Sequence, residues 1–164
     1  MKSLISTIAI LGLVGMVVGV AVQAATEGSV TATVTVQNIS VSVADGTVAY
    51  GTLAVNGSKD TTSGGLNDTQ AATNNGNVSE TLNIKGQNSI PGSWVLAGTA
   101  GSDQYVHQFC KTGGGTPDPC DATPTYTALT TSYQALATPV TAGSNQRFDL
   151  KITTPTVSTS FVEQ

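Results

Sequence analysis

Val30-Thr31-Ala32-Thr33-Val34-Thr35-Val36 is the stretch on which the fold class turns. Apolar side chains at the even positions and threonines at the odd ones repeat with period two, the pattern of a strand with one buried face. β-Branched residues suit a pleated surface and lose rotamer freedom in a helix. Downstream, Ile39, Val41 and Val43 carry the apolar phase on odd positions, with Ser40 and Ser42 between them. Gln37-Asn38 is expected to absorb that change as a bulge or a crossing between sheets. Asp45-Gly46 then gives a strong short hairpin signal, because both central positions of a type I′ turn require positive φ. Val48, Tyr50, Leu53 and Val55 read as the return strand.

Working outward, Asn56 to Asn77 holds Asn, Ser, Thr, Gly and Asp with almost no large apolar residue except Leu66. Such a stretch cannot bury enough surface to offset its ordering entropy, so it reads as a long exposed loop with room for one short edge strand. Val78 to Lys85 reads as a strand with Leu82 and Ile84 inward. Trp94 and Leu96 face the core, and Tyr105, His107 and Phe109 share one face of the next strand. Ala128 to Ala137 contains a short strand anchored by Leu129, Tyr133 and Leu136; Arg147 to Thr153 alternates Phe148, Leu150 and Ile152 with polar residues. The expected core is Val34, Val36, Val41, Leu53, Leu82, Ile84, Trp94, Leu96, Phe148, Leu150 and Ile152. Seven or eight strands separated by turn signals predict an all-β, two-sheet sandwich, immunoglobulin-like or jelly-roll-like, with a closed barrel as the alternative.

The chain has 164 residues, within the range of one domain once a leader is removed. Lys2 supplies a positive n-region, and Leu4 to Val22 is apolar apart from Ser6, Thr7 and small glycines. Val22-Gln23-Ala24 matches the small-residue pattern of signal-peptidase sites, so 1–24 reads as a signal peptide and 25–164 as the β-sandwich domain. A retained membrane anchor is the rival reading, since the apolar run approaches the roughly 20 residues that span a bilayer. Residues 25–164 carry four lysines and one arginine against ten acidic residues, net −5. That balance offers no electrostatic footprint for nucleic acid or anionic lipid.

Cys110 and Cys120 are the only cysteines, and they bracket a loop rich in Gly and Pro. An even count in an exported chain favours a disulfide. Metal binding lacks further ligands: His107 is the only histidine, and no Cys-x-x-Cys occurs. His107, with Asp103 four residues before it and abundant serines, supplies the residue types of a nucleophilic triad. No Gly-x-Ser-x-Gly elbow accompanies them, and the reading is non-enzymatic, with no cofactor and no metal. Asp60 and Asp68 lie too far apart for a calcium loop. Trp94 stands in an apolar run, which favours packing over sugar stacking. Four Asn-x-Ser/Thr sequons begin at Asn38, Asn56, Asn67 and Asn77. They are acceptors only in a host with the transferase, and in a chain this rich in Asn, Ser and Thr chance alone supplies such motifs.

The leader, the Thr/Val strands and the segment Ala72-Thr73-Asn74-Asn75-Gly76-Asn77-Val78 followed by Leu82-Asn83-Ile84 resemble secreted immunoglobulin-like bacterial surface proteins of the camelysin/TasA fibre-subunit type. The resemblance covers about the first half of the chain beyond the leader, and it does not call for the cysteine pair. It implies a sandwich fold and a role in fibres or matrix. The expected function is therefore an exported, non-catalytic structural or adhesive module at the cell surface or outside the cell. Its expected partner is itself, through strand addition, or another surface protein, with the membrane involved only if the leader is kept. An extracellular carbohydrate- or ligand-binding module using Tyr105, Tyr126 or Tyr133 is the alternative.

Overall fold

A computed structural model describes residues 31–90, 92–112 and 119–161. The expected signal peptide, residues 1–24, lies outside them, as does Val30. By internal packing the chain divides into residues 1–35 and 36–164, and every strand belongs to the second unit.

The fold is nearly all β and sandwich-like, with one short helix among the described residues, α1 (Pro119–Ala122). The described residues form nine strands, in chain order β1 (Val41–Val43), β2 (Ser58–Asp60), β3 (Gln70–Asn74), β4 (Glu80–Ile84), β5 (Val95–Leu96), β6 (Gln104–Lys111), β7 (Thr127–Ala128), β8 (Gln134–Val140) and β9 (Asn145–Thr153). β9 is the spine of a curled seven-stranded sheet. Its first half pairs with β3 and its last residues with β2, while β6 lies antiparallel along its other side. β1 extends the sheet beyond β3; β5 and β7 extend it beyond β6. The antiparallel pair β4–β8 forms a separate two-stranded sheet.

The two sheets meet over one face. Phe148 pairs with Gln70 and Leu150 with Phe109, and paired residues place their side chains on the same side of the sheet. On that side Ala72, Phe109 and Phe148 pack with Leu82, Leu136 and Val140 of the β4–β8 pair and with Leu129, all 6 % exposed or less. Ile84, Leu96 and Leu150 pack half-buried against this cluster.

Four expectations are corrected. The regular run 31–36 forms no strand, and Val34 and Val36 are 89 % and 76 % exposed instead of lying in the core. Val41 does enter a strand but stays 57 % exposed. The Asp45-Gly46 hairpin does not form. Gly46 adopts φ 72°, yet its N–H donates to Gln70 Oε1, β1 pairs with β3, and Val48 to Val55 forms no strand. Finally, 56–77 is no exposed loop: it contributes β2 and β3, and β3 is interior to the sheet. Gln70, Ala72 and Asn74 are buried there because the polar pair is satisfied. Gln70 Nε2 donates to Asp68 Oδ1, and Asn74 Nδ2 donates to the carbonyls of Val78 and Val140. A buried amide so bonded avoids the desolvation penalty that an apolar pattern search assumes.

Candidate functional site: a bare sheet edge and an apolar groove

The four-residue turn Asn74-Asn75-Gly76-Asn77 holds the segment leading into β1. Asn77 N–H donates to Asn38 O (3.1 Å), Asn38 N–H donates to Asn77 Oδ1 (2.8 Å), and Asn77 Nδ2 donates to Val36 O (2.7 Å). Asn75 N–H donates to Ser40 O, and Ser40 N–H to Glu80 Oε1. Glycine is required at 76, since a Cβ there would collide with Asn38 O. All these bonds lie on one side of the segment. β1 ends the sheet order, so its far side carries no strand among the described residues.

Val41 pairs with Asn74 and Val43 with Ala72, so both valines stand on the core side of the sheet. Asn74 and Ala72 lie buried beneath β4–β8, whereas Val41 and Val43, one strand farther out, are 57 % and 44 % exposed. The two-stranded cover is narrower than the sheet it covers. The result is an apolar shelf, continued by the exposed Ile39, beside an open backbone edge.

Farther along the core-side face, Val48 to Val55 crosses the sheet without joining it. With Trp94, Ile152, Thr154 and Phe161 it lines a groove of about 900 Å³. Trp94 is half-buried, its Nε1 donates to Ser158 Oγ (2.9 Å), and its ring tilts against Tyr105 at 6.2 Å. Packing and groove wall are thus the same residue. Tyr50 ties the crossing segment down: its hydroxyl shares a 3.0 Å hydrogen bond with His107 Nε2, the rings meet edge-on, and Lys59 Nζ donates to Tyr50 O. Burial lowers the His107 pKa to about 4, which leaves the imidazole neutral near neutrality. Burial, reinforced by the charges of Asp60 and Asp68 and the neighbouring Tyr126, pushes the Tyr50 hydroxyl well above its ordinary value.

The opposite face of the sheet carries Cys110, which pairs with Asp149. Cys110 and Cys120 are bonded, with Cα atoms 5.9 Å apart, inside the range expected for such a pair. Asp121 Oδ1 accepts from Ser63 N–H (2.8 Å), and Lys151 Nζ lies 5.4 Å from the Tyr126 ring centre. Asp149, fully buried, accepts hydrogen bonds from the hydroxyls of Thr61 (2.8 Å) and Thr69 (2.9 Å).

Asp103 and His107 have different partners. Both Asp103 oxygens serve Thr159, through its N–H and its hydroxyl, and these bonds hold the Asp103 pKa below the usual carboxylate value. The three tyrosines considered as a ligand platform do not form one. Tyr105 is buried and donates to Gln87 O, Tyr126 is half-buried beside Lys151, and Tyr133 alone is widely exposed, with Lys85 Nζ 4.7 Å from its ring centre. The bare shelf was half legible: its valines were conspicuous, but nothing in their spacing distinguishes a covered row from an uncovered one. Among the described residues no helix is long and apolar enough to cross a membrane, and no three metal-ligating side chains cluster. Comparison with protein-family models, curated proteins and solved structures finds no match to this chain.

Proposed function

We propose that this chain is an exported, non-catalytic structural or adhesive module that joins copies of itself by strand addition at β1. The carrying observation is the shelf of Ile39, Val41 and Val43 on the core side of the sheet, uncovered and next to an open edge. An exposed edge with apolar side chains is what an added strand needs: backbone groups to pair and a surface to bury. Natural edges that stay free are usually guarded by lysine, proline or charge; from 28 to 58 the only ionisable side chains are Asp45 and Tyr50. A head-to-tail contact of this kind propagates as a fibre where successive rotations do not close a ring. The disulfide fits an oxidising compartment outside the cytosol.

The test is negative-stain microscopy and light scattering of the purified protein beside Val41→Lys and Val43→Lys. Filaments are expected from the natural chain and none from the variants, whose unfolding temperature stays close to the parent's. An intact protein that remains monomeric at every concentration, or variants that still polymerise, would overturn the reading. One observation favours a second reading, an extracellular ligand-binding module: the apolar groove with Trp94 in its wall. Saturable quenching of the single tryptophan by a small apolar or sugar ligand, in a protein that never polymerises, would favour it.

A further inference from the structure

We propose that Asn56 is a glycosylation acceptor in the folded protein, and that the other three sequons are not. Chance can supply the motif, but the structure sorts the four. An acceptor asparagine must offer a free Nδ2 on an exposed surface, and the hydroxyl two residues on must also be reachable by a transferase.

Asn77 fails the first requirement, because its Oδ1 and Nδ2 are engaged by Asn38 N–H and Val36 O. Asn67 fails the second: the Thr69 hydroxyl donates to the buried Asp149 carboxylate at 2.9 Å. Asn38 is exposed, but Ser40 is half-buried, so its hydroxyl is less reachable than that of the exposed Ser58. Asn56 meets both requirements. It sits at φ 55° in a turn closed by Gly57 N–H donating to Ala54 O (3.0 Å), and its own N–H donates to Pro155 O (2.7 Å). The backbone is thereby fixed while the exposed side chain makes no hydrogen bond among the described residues. Ser58 is exposed, and its one contact, a hydroxyl donated by Thr153, is long at 3.4 Å. The φ near +55° is one that asparagine tolerates better than most residues.

The donor class is a polyprenyl-diphosphate-linked sugar. Asn56 Nδ2 forms a bond to the anomeric carbon, the carbon–oxygen bond to the diphosphate breaks, and the polyprenyl diphosphate leaves with that electron pair. The amide gives up one proton. A glycan at Asn56 would stand at the rim of the groove, beside Ala54 and Val55 in its wall.

The experiment is peptide mapping by mass spectrometry of the protein secreted by its own host, with and without enzymatic removal of N-glycans. The expected result is a sugar mass on the Asn56 peptide that falls away on treatment and leaves aspartate, with the Asn38, Asn67 and Asn77 peptides unmodified. Asn56→Gln and Ser58→Ala should each abolish the added mass, and Ser58→Thr should keep it. Since the positive φ disfavours glutamine, Ser58→Ala separates loss of the glycan from loss of the fold. An unmodified Asn56, or sugar on the other sequons with Asn56 bare, overturns the assignment.

Discussion

Two rows of alternating apolar residues in this chain look equivalent and behave oppositely. Phe148 and Ile152 in β9 have a strand on each side, Leu150 has β6 on one side and Thr61 on the other, and a second sheet or crossing segment lies above them; Phe148 is 5 % exposed. Val34 and Val36, and after the phase change Ile39 and Val41, alternate in the same way, and all are more than half exposed. Alternation records which side chains share a face. Whether that face is covered depends on what the rest of the chain can lay over it. Here the cover is two strands wide.

The comparison predicts a sharp asymmetry in stability. Phe148→Ala or Phe109→Ala should cost about 3–5 kcal/mol, while Val36→Ser and Ile39→Ser should change the isolated domain by about 0.5 kcal/mol or less. Chemical denaturation measures both, and equal losses in the two rows would mean that the N-terminal row is covered after all. Reducing the disulfide, or Cys110→Ser with Cys120→Ser, comes next. Loop closure over about nine intervening residues predicts a loss of about 2–3 kcal/mol, read as a fall in thermal midpoint under reductant. Asn74→Ala should cost about 1–3 kcal/mol, because it leaves the carbonyls of Val78 and Val140 without their amide donor. A neutral result would show that water replaces the side chain.

The last prediction is a pH dependence. His107 has a folded pKa near 4 against about 6.5 in the unfolded chain, so between those values the unfolded state binds more protons. Stability should be level with respect to this group above about pH 6.5, fall by at most ~1.4 kcal/mol per unit as pH drops through the window, and level again below about 4. Denaturation curves of the parent and His107→Gln across this range test the sign; parallel curves would place the imidazole in solvent.

Much of the fold was readable because its strands obey the apolar pattern. Leu82 and Ile84, Tyr105 and Phe109, and Phe148 and Leu150 all land as their alternation requires, and the cysteine pair closes as its count implies. β3 was invisible because Gln70-Ala71-Ala72-Thr73-Asn74 buries amides whose hydrogen-bond partners come from residues 68, 78 and 140. The false hairpin failed for a related reason. Asp45-Gly46 does turn the chain, but β3 claims the edge that Val48 to Val55 would have used, leaving that segment to form the groove wall. Of the candidate site, the apolar residues could be named in advance and their exposure could not, since it follows from the width of the opposing sheet.

The position of β9 in the chain has a consequence for the order of folding. β2, β3 and β6 meet no common partner until residues 145–153 are available, and bonds such as Thr154 Oγ1 to Ala54 O close a separation of 100 residues. Loop-closure entropy must be met before such distant contacts repay it, so folding of this kind is slow and cannot begin in earnest from the early strands alone. During synthesis the first 144 residues lack their organising strand. On the proposed export, that late closing step is what would let passage through a narrow pore precede folding.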